Sequence, residues 1–68
     1  MENSIIKIGG MSCQGCVNNI TAVLTGVAGV ASAEVSLAAG EARVSFDPQT
    51  VARSVLVAAI EDAGFDAE

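Results

Sequence analysis

The sequence predicts an α+β domain in which a four-stranded antiparallel sheet carries two helices on one face, and three observations predict it. Apolar residues recur at a spacing of two in some stretches and of three to four in others, in the order strand, helix, strand, strand, helix, strand. Glycines or an Asp-Pro pair fall where the period changes. Of the 68 residues 51% are hydrophobic, yet only Phe46 and Phe65 are aromatic, so small aliphatics must build the core of a single domain over residues 1–68. That hydrophobic content excludes a disordered chain, and the length leaves no room for a second domain or a deep substrate cleft.

Ile5 to Ile8 is short and β-branched, with Ile6 and Ile8 on one face and Lys7 on the other, and reads as a strand ended by Gly9 and Gly10. From about Gly15 to Thr25, Val17, Ile20, Val23 and Leu24 recur at helical spacing, with Gly26 and Gly29 as the stop. Val30 to Leu37 alternates, Ala33, Val35 and Leu37 facing one way and Glu34 and Ser36 the other. Glu41 to Phe46 alternates again, with Ala42, Val44 and Phe46 opposite Arg43 and Ser45, and Ala38 to Gly40 make the reversal of a hairpin. Asp47 and Pro48 read as N-cap and first residue of a second helix, because Asp accepts an orphan amide and proline has none to lose. That helix runs to about Ala63 with Val55, Leu56, Ala59, Ile60 and Ala63 as its buried stripe; Gly64 ends it, and Phe65 to Ala67 form a closing strand. Two right-handed split βαβ units in this order give a ferredoxin-like βαββαβ open-faced sandwich. Its uncovered sheet face stays wet, which fits the polar residues at alternate positions.

Eight acidic side chains against three basic ones give a net charge of −5. Such a surface repels phosphate backbones, so nucleic acid and anionic membrane surfaces are not the expected partners. No apolar run approaches the roughly 20 residues of a membrane span, and the first ten residues lack the basic start and apolar run of a signal peptide. A cytoplasmic protein without membrane insertion is the expectation.

One segment carries unusual chemistry: Met11-Ser12-Cys13-Gln14-Gly15-Cys16, where the first strand gives way to the first helix. Two thiols separated by two residues can converge on one atom, and Cys16 in the first helical turn meets unpaired amides and the positive end of the helix dipole. That environment favours thiolate. With no His and no third Cys, one copy cannot close a tetrahedral zinc site. Two soft thiolates suit a soft monovalent ion of low coordination, and Cu(I) is the biological candidate. The resulting single negative charge is one that a helix N-terminus stabilises.

Gly10-Met11-Ser12-Cys13-Gln14-Gly15-Cys16 resembles the GMxCxxC loop of the heavy-metal-associated domain family, the fold of small copper chaperones and of copper-ATPase N-terminal domains. The likeness extends to Gly29-Val30 and to Ile60-Glu61-Asp62-Ala63-Gly64-Phe65, and so covers nearly the whole chain. The resemblance implies that Cys13 and Cys16 are the two Cu(I) ligands, that Met11 props the loop from beneath, and that Phe65 lies near the metal loop. Phe65 departs from the Tyr or Lys often found in freestanding chaperones and is closer to the ATPase-attached domains. Ser12 stands where zinc- and cadmium-handling members often carry an acid, and its neutrality favours copper.

Plainer readings stand beside these. Cys13 and Cys16 could be structural or disulfide-linked, but this spacing in a cytosolic chain points to metal or redox chemistry. A thioredoxin-like dithiol-disulfide protein also has CxxC at a helix start, yet here no Trp, Tyr or His accompanies it, Pro48 serves a helix start, and the strand order differs. Met11 reads as core filler in preference to a thioether ligand. Phe65 reads equally as a cap on the core. Glu61, Asp62, Asp66 and Glu68 read as a solvated acidic face, with a part in docking as the sharper alternative.

The function expected is therefore a Cu(I)-binding metallochaperone without catalytic activity, transferring copper by thiolate exchange. The partner that the resemblance implies is a copper-transporting P-type ATPase or its metal-binding domain. Alternatives are an excised N-terminal domain of such an ATPase and a dithiol-disulfide redox protein. An open two-ligand site also invites a copper-bridged homodimer, and the negative charge a basic or neutral docking surface.

Overall fold

The computed structural model describes residues 1–68. Its elements are β1 (Glu2–Gly9), α1 (Gln14–Thr25), β2 (Val30–Ser36), β3 (Glu41–Phe46), α2 (Arg53–Asp62) and β4 (Asp66–Ala67). The strands form one antiparallel sheet in the order β2-β3-β1-β4, the ferredoxin-like arrangement. Ile6, Ile8, Ala42, Val44 and Phe46 from the sheet join Ile20 and Leu24 from α1 and Leu56 and Ile60 from α2 in one buried cluster, so both helices cover the same sheet face. The opposite face carries the cross-strand row Ile5, Arg43 and Glu34, and a Lys7–Glu41 ion pair of 3.1 Å.

The second helix departs from the sequence expectation. Asp47 and Pro48 do not start it; they start a separate turn over residues 47–51. The Asp47 carboxylate accepts from the Gln49 amide and from the Thr50 hydroxyl, each at 3.0 Å, and its carbonyl accepts from Thr50 and Val51. Pro48 suits the second position of such a turn as well as it suits a helix start. The turn drives Val51 into the core, Ala52 is extended with ψ 156°, and α2 begins only at Arg53. With that start Leu56 and Ile60 point inward while Val55, 100° away on the helix, is 48% exposed, and Val51 fills the place foreseen for it.

Smaller differences have equally local causes. Leu37 lies in the turn after β2 and is 39% exposed, because the four residues 37–40 form the reversal, closed by a Gly40 amide to Ser36 carbonyl bond of 2.9 Å. Strand β1 starts at Glu2, where polar residues pair with β3 despite lacking apolar alternation. Val23 is only half-buried. Helix α2 ends in a pair of bonds from Phe65 to Ile60 and from Gly64 to Glu61, which turns the chain sharply into a two-residue β4.

Gly29 joins the two halves of the molecule. Its φ is +97°, and a Cβ there would lie 2.9 Å from both Thr50 Cγ2 and Val51 Cγ1. Its carbonyl accepts from the Asp47 amide at 2.8 Å, so the missing side chain lets the 47–51 turn seat against the end of α1.

Candidate metal centre

The thiol loop is built from the ends of β1 and α1. Gly10, with φ +84°, takes the chain off the sheet in a backbone conformation open to glycine. Met11 is half-buried and packs against the core, which agrees with its reading as a prop. Ser12 and Cys13 emerge into solvent, and Cys16 is half-buried in the first turn of α1.

Cys13 is itself the N-cap of α1. Its backbone is extended (φ −151°, ψ 163°), its Sγ accepts from the Cys16 amide at 3.3 Å, and its carbonyl accepts from the Cys16 and Val17 amides at 3.1 and 3.3 Å. A sulfur thus does what a Ser or Asp oxygen usually does at this position. Sequence reasoning missed this role because Cys is outside the preferred cap residues.

The cap brings the two thiols together. Cys13 Sγ and Cys16 Sγ lie 2.8 Å apart, one donating a hydrogen bond to the other, well beyond the roughly 2.05 Å of a disulfide. The Cys16 thiol is held below the ordinary cysteine range, first by the bond with the Cys13 side chain and then by the Ser12 backbone, against a smaller opposing effect of desolvation. No acidic residue stands in the first turn, and α1 contains no charged residue at all, so the positive helix terminus acts on the sulfurs without competition from a carboxylate.

No third ligand joins them: nowhere do three or more His, Cys, Asp or Glu side chains converge. The two surface hollows, one beside Glu34, Glu41 and Arg43 and one beside Lys7, Glu61, Asp66 and Glu68, are not lined by either thiol. Phe65 is half-buried against the core. The arrangement can therefore offer an incoming soft ion two sulfurs at an open rim, or undergo dithiol-disulfide exchange.

The sequence profile of the heavy-metal-associated domain matches residues 5–66. The chain belongs to the heavy-metal-associated domain family. This heavy-metal-associated domain is 44% identical over 61 residues to the cation-transporting ATPase HMA5 of Oryza sativa subsp. japonica, a match covering 90% of the chain and 6% of the ATPase. It is 41% identical over 66 residues to the copper chaperone CopZ of Staphylococcus aureus, covering 97% of each. Among solved structures, a copper binding domain from HMA7, a P-type ATPase, superposes with a TM-score of 0.98 at 41% identity, covering 100% of this chain and 92% of that one. The domain spans only 4–6% of the length of the ATPases it matches.

Proposed function

We propose that this domain carries copper as Cu(I) between Cys13 and Cys16 and surrenders it by thiolate exchange to the dithiol of a partner, such as a copper-transporting P-type ATPase or its metal-binding domain. The observation that carries the reading is the pairing of two free thiols at the exposed N-terminus of α1, in a chain whose relatives include a copper chaperone and copper-transporting ATPases. Two soft sulfur donors with no His or carboxylate converging on them suit a soft monovalent ion.

Copper is here the cargo. An incoming partner thiolate attacks the open side, one sulfur of the pair leaves and takes up a proton, and the second exchange repeats the step with no change in oxidation state. The same chemistry serves a freestanding carrier and a metal-binding domain of a transporter, and matches of both kinds support it. A copy with a half-open site can also share its ion with a second copy, giving a copper-bridged dimer.

The test is Cu(I) titration under anaerobic reducing conditions against a competing chelator, with X-ray absorption of the loaded protein. One ion per chain with a sulfur-only first shell is expected, and Cys13→Ser or Cys16→Ser should each abolish retention. Unchanged retention in both variants, or a nitrogen or oxygen shell, would overturn the reading. The 2.8 Å thiol pair and the lowered Cys16 thiol also favour a dithiol-disulfide function as the second reading. A measurable rate of disulfide reduction by the metal-free protein, together with failed copper uptake, would select it.

A further inference from the structure

Strand β2 is the last strand of the sheet on the side away from β4, and only β3 pairs with it. The direction of its main-chain groups follows from the hairpin. The Gly40 carbonyl accepts from the Ile8 amide at 2.8 Å, toward β1, so the Glu41 amide across the same peptide plane points toward β2. Alternation then turns Glu41, Arg43 and Ser45 toward β2, where Ser36, Glu34 and Ser32 are their partners. The N–H and C=O groups of Ala33 and Val35 point the other way, outward from the sheet, and no turn, loop or cap bonds them. Such an edge is a template for another chain, and β2 carries neither the proline nor the lysine that commonly blocks one.

The side chains along this edge indicate what a matching segment carries. Ala33 and Val35 are half-buried and pack against the core on the side of α1, whereas Glu34 stands exposed on the uncovered sheet face. Residues opposite each other on antiparallel strands share a face. An added strand therefore sets apolar side chains beside Ala33 and Val35, and the side chain between them beside Glu34. An open hollow of about 160 Å³ lies there, lined by Glu34, Val35, Ser36, Glu41 and Arg43. Glu41 is held by Lys7 in the one ion pair of the chain, and Arg43, opposite Glu34 in the ladder, does not come within pairing distance of it. Glu34 is the carboxylate left to receive a cation.

We propose that the β2 edge takes up an extended segment of another protein in which a Lys or Arg stands between two apolar residues, adding a strand beside Ala33, Glu34 and Val35. Main-chain bonds hold the segment, and the cation beside Glu34 fixes its register. A second copy of this chain fits less well, because the only charge on its β2 is another Glu34 and each copy carries −5. The surface belongs to β2 and β3 and uses neither thiol, so it stands apart from copper carriage.

NMR titration of the metal-free, reduced protein tests this with two acetylated and amidated peptides at millimolar concentration, Thr-Val-Lys-Val-Thr and Thr-Val-Glu-Val-Thr. The lysine peptide should shift the resonances of residues 32–36 saturably, slow exchange of the Ala33 and Val35 amides, and leave residues 11–17 unmoved. The glutamate peptide should bind about two- to fivefold more weakly, the range of an exposed ion pair, and Glu34→Gln should erase most of that difference. Val35→Pro removes an outward donor and no bond to β3, so it should abolish binding while the dispersion of a folded chain persists. If that variant unfolds, the Glu34→Gln comparison decides alone. Absence of saturable shifts at residues 32–36 would overturn the proposal, as would equal binding of the two peptides. Shifts centred on Glu61, Asp62 and Asp66 would do the same, by showing mere attraction to acidic groups. Sedimentation in which the native chain self-associates, with Ala33 and Val35 protected, would also overturn it by making a second copy the occupant.

Discussion

A single sulfur atom in this domain has two occupations: Cys13 Sγ caps α1 through the Cys16 amide and faces Cys16 Sγ at 2.8 Å. The pair was legible in the sequence because the spacing of two cysteines at a strand-to-helix junction already fixes which atoms can meet. The cap was not, since nothing in the residue type announces it. Asp47 makes the opposite case, a residue read as a helix cap that in fact organises an isolated turn. Its carboxyl is held below the ordinary aspartate range, first by the Gln49 amide and then by the Thr50 hydroxyl. Because the folded state lowers its proton affinity, its contribution to stability is complete above about pH 4, the unfolded range, and is lost as the pH falls below it. Asp47→Ala should therefore lower Tm at neutral pH, with a difference from the native protein that narrows in acid. Thermal melts between pH 7 and pH 2 would show it, and a pH-independent difference would count against this role.

At the scale of elements, the strands were read more surely than the second helix. β3 was legible to the residue, because Ala42, Val44 and Phe46 are all buried and alternate with more exposed neighbours. α2 was not, because Asp-Pro opens a turn and a helix with the same local chemistry, and only the burial of Val51 distinguishes them. The chain around Gly29 accounts for that burial. Gly29→Ala would place a methyl 2.9 Å from the side chains of Thr50 and Val51 and impose a φ of +97° on a residue with a Cβ. A loss of roughly 1–3 kcal/mol is expected in urea unfolding, whereas a change within the error of the native value would mean that the turn yields. The closing strand β4 was foreseen in kind, with Phe65 read as its first residue where Asp66 begins it.

Across the whole molecule, the element order and the sheet that follows from it were legible because each change of period marks one element and the handedness of split βαβ units leaves few ways to assemble them. The buried cluster is aliphatic apart from Phe46 and includes neither cysteine. Metal-free protein should consequently show the amide dispersion of a folded chain, and loading with Cu(I) should move resonances at residues 11–17 while leaving those of Val44, Leu56 and Ile60 in place. Collapse of the dispersion without metal would refute this separation. The thiol cap gives the separation a further meaning. Under the proposed function, an ion arriving at Cys13 would compete with the Cys16 N–H for the same lone pairs, so occupancy would be written into the first turn of one helix while the rest of the framework stayed silent. A receiving protein could tell a laden copy from an empty one only by touching that turn.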